Sequence, residues 1–247
     1  MRRRRTTGLL LVLLSMTSLA TACSKEHPLT ATVVLFDVSA STRSADVRER
    51  YERTFSLVLD DVIDAGGVLG ADVIDDNPLA HGSLPVNERF ESCGLLDNGL
   101  DCRQAADEQR ADVEGAAASI LERRSDGTDI FGALALTEDF FAAYPEADVR
   151  RVVVLSDMVQ RGRDLRFPSI GDWSPAHVDE LLDTAPTVHL ESIEIYVVGV
   201  GATTSGDLSP DQIDGIERFW TAFLEGSGGH LAFFGASLAA YPIAGAA

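Results

Sequence analysis

The sequence predicts one α/β domain with a doubly wound, mostly parallel sheet and helices on both faces. Three observations lead there. Residues 32–36, 151–155 and 193–200 are nearly continuous apolar runs of strand length. Runs of that kind suit strands buried on both faces, as in a parallel sheet. Between them lie stretches with helical apolar spacing, and glycine or proline marks most of the boundaries.

The elements follow in order. The first run, 32–36, ends in Asp37. Val47, Tyr51, Phe55, Val58 and Val62 recur every three or four residues and form one helical stripe, which Gly66 and Gly67 stop. Residues 68–74 read as a second strand. Residues 83–90 are more polar and alternate, as an edge strand would. A helix is expected over about 103–124 with Val113, Ala117 and Ile120 inward, broken by Ser125-Asp126-Gly127. The next helix carries Ile130, Leu134, Thr137, Phe141 and Tyr144 on one side and ends before Pro145. The strand 151–155 leads through Ser156 to Asp157, and a long loop covers 158–174. Pro175 can open a helix to about residue 183. After the apolar strand 193–200, Pro210 starts a helix with Ile213, Ile216, Trp220 and Phe223 inward. Gly226 to Gly229 end it, and 230–234 closes the sheet. No internal repeat is visible.

The 247 residues are 45% hydrophobic and 24% charged, enough for a full core and wrong for a disordered, collagen-like or multi-span chain. The net charge of −19 disfavours nucleic acid and anionic headgroups and suits divalent cations or basic partners. Arg2 to Arg5 precede a short apolar run and the small residues Ala20-Thr21-Ala22 before Cys23. The apolar part is short for a membrane span and reads as an export signal. Its end resembles a bacterial lipoprotein lipobox, although Ala20 stands where that pattern usually has Leu. The resemblance implies lipidation of Cys23; the alternatives are a plain secretory signal and a twin-arginine signal. The organisation expected is a signal over 1–22, a lipid-anchored tether over 23–30, the domain over 31–235 and a C-terminal tail over 236–247. Cys93 and Cys102 then remain as a pair. In an oxidising compartment they would form a disulfide worth about 2–3 kcal/mol, two free thiols being the alternative.

The chemistry is expected at strand ends, because open parallel sheets bind ligands beyond the carboxyl ends of their strands where the strand order reverses. Asp37, Ser39 and Ser41 alternate after the first strand, so a turning loop can aim three oxygens at one point. Carboxylates with hydroxyls are hard donors, suited to Mg²⁺, with Mn²⁺ or Ca²⁺ possible. No glycine-rich phosphate loop, no Gly-x-Ser-x-Gly elbow and no histidine pattern for zinc or a catalytic triad is present.

Asp37-x-Ser39-x-Ser41 resembles the metal-ion-dependent adhesion site of von Willebrand factor type A domains. Gly127-Thr128-Asp129 looks like that family's second element and Ser156-Asp157 like its third. The resemblance spans about residues 32–234. It implies strand order 3-2-1-4-5-6 with one antiparallel edge strand, and a metal held by Asp37, Ser39, Ser41, Thr128 and Asp157. It also implies a protein partner that offers a carboxylate to the metal. Met158 departs from the glycine common after the last aspartate, and would be strained if that turn needs φ > 0. The other reading of these residues is that Asp37 and the serines merely cap helices. Asp129 is expected at a helix N-terminus. Trp173 fits either a partner contact or the core, and Arg161-Gly162-Arg163 either a docking spot or a solvated turn.

The leading function is therefore a lipid-anchored module on the extracytoplasmic face of a bacterial envelope, binding a protein partner through its metal. No nucleic acid and no small-molecule substrate is expected. The alternative is a structural or assembly subunit with the metal site idle or filled in cis. A metal-assisted hydrolase ranks third, since the sequence places no general base.

Overall fold

A computed structural model describes residues 28–92, 99–163, 165–201 and 208–242. The chain alternates β1 (Thr30–Asp37), α1 (Ala45–Ala65), β2 (Val68–Ile74), β3 (Val86–Arg89), α2 (Gly99–Leu121), α3 (Ile130–Ala143), β4 (Val149–Leu155), α4 (Pro175–Thr184), β5 (Ile193–Val198), α5 (Pro210–Gly226) and β6 (His230–Gly235). The six strands form one sheet in the order β3-β2-β1-β4-β5-β6. Every pairing is parallel except β2 with β3. This is the order and the single antiparallel edge that the sequence resemblance implied.

Residues of β1 alternate between two apolar layers. Val33 and Leu35 join α3, α4 and α5 on one face, while Val34 and Phe36 join α1 and α2 on the other. A strand clad on both faces has no solvent side to carry polar residues, which is why 32–36 shows no polar alternation. The polar helix α2 buries only Val113, Ala117, Ile120 and Leu121. It runs from Gly99 to Leu121, shifted from the expected 103–124. Beyond its end, Arg48 donates to the Leu121 carbonyl and Arg124 to those of Glu122 and Arg123. Guanidinium groups thus supply donors to the last helical carbonyl and to the two that follow it.

The long loop after β4 is held by aromatics. Phe167, fully buried, packs against Trp173, Phe219 and Trp220 at ring separations of 5.2, 5.2 and 5.9 Å. Trp173 is only 7% exposed and lies on Gly215 of α5, where a Cβ would come within 2.5 Å of its ring. The indole belongs to the core, which removes it from the candidate partner contacts. The segment after β6 also packs: Tyr241 meets Tyr196 edge to face at 5.0 Å, with the Arg151 guanidinium 5.7 Å from its ring. Its Ala- and Gly-rich composition gave no sign of this.

Among the described residues no helix is long and apolar enough to cross a membrane. The expected export segment, Cys23 and Cys93 lie outside the described residues; Cys102 stands in the first turn of α2.

β5 stops at Val198 because Gly199 takes φ +116°, a conformation that residues with a Cβ rarely adopt. An added Cβ would also lie 2.8 Å from the Ser156 carbonyl and 2.9 Å from the Tyr51 hydroxyl. Gly199→Ala is therefore expected to cost about 2 kcal/mol or more of folding stability, read from the urea midpoint. A midpoint unchanged from the wild type would contradict this placement of the strand end.

Candidate metal centre

β1 and β4 are neighbours in parallel register, Phe36 beside Leu155. Their carboxyl ends therefore deliver Asp37 and Asp157 to the same edge of the sheet, at the point where the chain order reverses. Beyond Asp37 the chain turns tightly. The Ser39 amide donates to Asp37 Oδ1 at 2.9 Å, and the Thr42 hydroxyl donates to the carbonyls of Asp37 and Ser39. A short 3-10 turn, Ala40–Thr42, leads to α1. The Ser39 and Ser41 hydroxyl oxygens lie 3.1 Å apart.

Helix capping does not account for these side chains. Ser44 is the N-cap of α1, its hydroxyl accepting from Val47 N. Ser39 makes no side-chain capping bond. Asp129 does cap, accepting from Gly132 N at the start of α3, as expected from the sequence.

Thr128 is fully buried in the segment before α3. Its carbonyl accepts from Arg161 N at 2.9 Å, and the next amide, of Asp129, donates to the Asp75 carbonyl at 2.7 Å. The buried Gln160 side chain fastens the same segment: its Oε1 accepts from Ile130 N at 2.8 Å and its Nε2 donates to Asp129 Oδ1 at 3.2 Å. The loop after β4 and the loop before α3 are thereby tied at three points. Arg161 pairs with Arg166 in an isolated antiparallel bridge, so the basic turn is built into this loop.

Met158 has φ +63°, the left-handed turn that the glycine of the resembling pattern would suit. That conformation costs a residue with a Cβ about 1–2 kcal/mol. The side chain is completely buried in the core layer that holds Trp220 and Phe219, and such burial returns about 1.5–3 kcal/mol. Trp220 Nε1 also donates to the Met158 carbonyl at 2.8 Å, fixing the peptide.

Two residues missed by sequence reasoning complete the centre. The Ser156 hydroxyl donates to Asp37 Oδ2 at 2.7 Å and accepts from Met158 N at 2.9 Å. Its place directly before Asp157, past the end of a buried strand, was the available signal. Tyr51 was assigned to the apolar stripe of α1, correctly, but its hydroxyl reaches the ends of β4 and β5 and has no hydrogen-bond partner. Burial, then the charges of Asp37 and Asp157, keep that phenol protonated far above the usual range.

The electrostatics of the centre are unfavourable as they stand. Burial and then the Asp157 charge push the Asp37 carboxyl up to about 7, against the opposing bonds from Ser156 and Ser39. Burial also raises Asp157; Ser41, the Val159 amide and Arg161 work the other way without cancelling it. Thr128 Oγ1 and Asp157 Oδ2 are buried with no hydrogen-bond partner. Buried polar atoms are rarely left so. Two crowded carboxylates, one of them with an unsatisfied oxygen, and an unsatisfied buried hydroxyl on Thr128 are donors that suit a small, hard cation. Among the described residues no three His, Cys, Asp or Glu side chains form a group that could hold a metal ion by themselves. Hydroxyls must therefore supply the balance of the donors.

No protein-family model and no curated protein matches the chain. Among solved structures, it is similar to a von Willebrand factor type A protein from Catenulispora acidiphila, with 12% identity and a TM-score of 0.44 over 84% of this chain and 39% of that one. It is similar to proximal thread matrix protein 1 of the mussel byssus at 12% identity and TM-score 0.41, over 81% and 48% of the two chains. The pilus adhesin SpaC from Lactobacillus rhamnosus GG matches at 13% identity and TM-score 0.35, over 81% and 30%. The chain thus spans less than half the length of each of these structures. At such scores the likeness adds nothing to the reading of the centre, which rests on its own geometry.

The Asp37 carboxyl ionises near 3.8 when unperturbed and near 7 in the fold. Between those values the folded chain holds a proton that the unfolded chain has released, so stability falls as pH rises through the window. In EDTA, Asp37→Asn is therefore expected to be more stable than the wild type at about pH 8, by roughly 1 kcal/mol or more. The advantage shrinks towards pH 5. Urea melts of both chains across this range check it, and a wild type that gains no stability relative to the variant on acidification would refute the crowding of the two carboxylates.

Proposed function

We propose that this chain is an extracytoplasmic, lipid-anchored domain that recognises a protein partner through a divalent cation held by Asp37, Ser39, Ser41, Thr128 and Asp157. The observation that carries the reading is the buried Asp37–Asp157 pair at the sheet's reversal point, with Asp157 Oδ2 and the buried Thr128 Oγ1 both left unsatisfied. Mg²⁺ fits the oxygen-only donor set best, with Mn²⁺ and Ca²⁺ as substitutes. Two carboxylates offset the cation's charge, and the remaining hydroxyl donors are neutral. Such an ion stays electrophilic and accepts a carboxylate from a partner. The protein residues hold and orient the ion; the role is binding and not catalysis. Residues 1–22 would direct export and be removed, Cys23 would carry the lipid, and Cys93 and Cys102 would be joined in the oxidising compartment. The domain would then stand on the outer side of a bacterial membrane, serving adhesion or assembly.

Cation binding should raise stability as RT ln(1 + [L]/Kd), about 2.7 kcal/mol at a hundredfold excess over Kd. Melting curves with Mg²⁺, Mn²⁺ or EDTA measure this. Asp37→Ala should abolish the gain while the fold persists, since it removes a ligand and no core packing. A wild-type melting temperature indifferent to all three additives would sink the metal reading. A metal-responsive protein that captures the same envelope proteins in EDTA as in Mg²⁺ would instead favour an assembly subunit whose metal does not face the partner.

The anchor is tested separately. Intact-mass analysis of membrane-extracted protein should show loss of residues 1–22 and acylation of Cys23, and Cys23→Ala should release the chain into the soluble fraction. An unmodified thiol at residue 23 is the outcome that overturns it.

A further inference from the structure

β2 contains one charged residue, Asp72, and its side chain is completely buried. Past the strand's end the loop through Asp75, Asp76 and a short 3-10 turn, Pro78–Ala80, folds back and returns His81 to it. His81 Nδ1 lies 3.0 Å from Asp72 Oδ2, and its Nε2 lies 2.8 Å from Asp75 Oδ2. Ionised carboxylates only accept. A neutral imidazole, with one N–H, can therefore satisfy one of these contacts, and both require the imidazolium.

The loop so closed is one wall of the Thr128 segment. The Asp75 carbonyl accepts the Asp129 amide, and Asp76 sits where a Cβ on Gly127 would strike it at 2.6 Å. Pro78 lies against Gly132 at the start of α3.

We propose that Asp72, His81 and Asp75 form a proton-dependent clasp that holds the 75–81 loop against the segment carrying Thr128, and that loss of the His81 proton loosens that segment. The proposal needs no metal and goes beyond the metal reading. The charged groups around His81 are all acidic: Asp72 from β2 and Asp75 from the loop face its two nitrogens. Asp139 of α3 lines the cavity of about 170 Å³ beside Asp72, and Asp76 turns toward Gly127. Burial of the ring works to lower its proton affinity, and the bonds to and charges of Asp72 and Asp75 more than offset this, so the net shift is upward from 6.5. The clasp is accordingly complete below that ordinary value and is lost as pH rises through the raised one.

The test is NMR on the full domain in EDTA. The His81 ring signals are followed against pH, together with the exchange protection of the Asp129 amide, corrected for its intrinsic rate, in the wild type and in His81→Gln. His81 is expected to titrate above its ordinary value. Asp129 protection should drop by about tenfold for each unit of that shift as the ring loses its proton, and His81→Gln should show no such step. The proposal is overturned if His81 titrates at or below the ordinary value. It is overturned equally by Asp129 protection that stays level through the titration, or by the same step in the variant, which would assign it to Asp37. Should His81→Gln fail to fold, Asp37→Asn takes its place as the control: a step that survives in it supports the clasp, and a step lost in it overturns the proposal.

Discussion

Two carboxylates buried at the ends of adjacent parallel strands set the problem that the surrounding structure answers. Water would stabilise both charges, and burial denies it to them. The chain responds with short-range donors: the Ser39 amide and the Ser156 hydroxyl on Asp37, the Val159 amide on Asp157. These do not suffice, since both carboxyls remain shifted upward. The fold therefore keeps at its reversal point a pair of groups that gain from any positive charge small enough to enter. The core tolerates this tension because two apolar layers, one on each face of the sheet, hold the strands in register regardless of what the strand ends carry.

The loops around the pair are fastened by residues from outside them. Met158 illustrates how: its backbone conformation is costly, yet its side chain and its carbonyl are both held from α5. Burial there exceeds strain by a margin of the order of 1 kcal/mol, enough to keep a non-glycine residue in a glycine-like turn. Gln160 makes the second tie, bridging Asp129 and Ile130 from a position with no sequence neighbour in common with them. A binding centre with little freedom loses little entropy when it is occupied.

Much of this was legible in the sequence, and what was not has a common cause. β2 ends where the glycines and the apolar run place it, at Val68 and Ile74. The strands that carry Asp37 and Asp157 were visible because burial on both faces forces unbroken apolar runs. The C-terminal end of α2 was invisible because its last carbonyl is met by Arg48 of α1, far away in sequence. Tyr241 sits in a segment whose composition says nothing, and its place depends on Tyr196 and Arg151. Gln160 takes its role from Ile130 and Asp129, about thirty residues away, and His81 from a loop that folds back on β2. Asp72 was a discordant note, a charge in the middle of a strand buried along its whole length. Local chemistry writes itself into periodicity, whereas contacts between residues far apart leave no periodic trace.

The direction of β1 has a consequence for how the molecule faces its surroundings. The strand enters the sheet at Thr30 and delivers Asp37 seven residues later, about 23 Å away at strand rise. Whatever precedes Thr30 joins the domain at the opposite pole from the aspartate pair. A surface that holds the chain upstream of Thr30 holds it by that pole and leaves the other pointing away, like a hand extended from a wrist. Rotation about such a joint would sweep the aspartate-bearing end through the space in front of the surface without turning it inward. Presentation would then follow from strand direction alone.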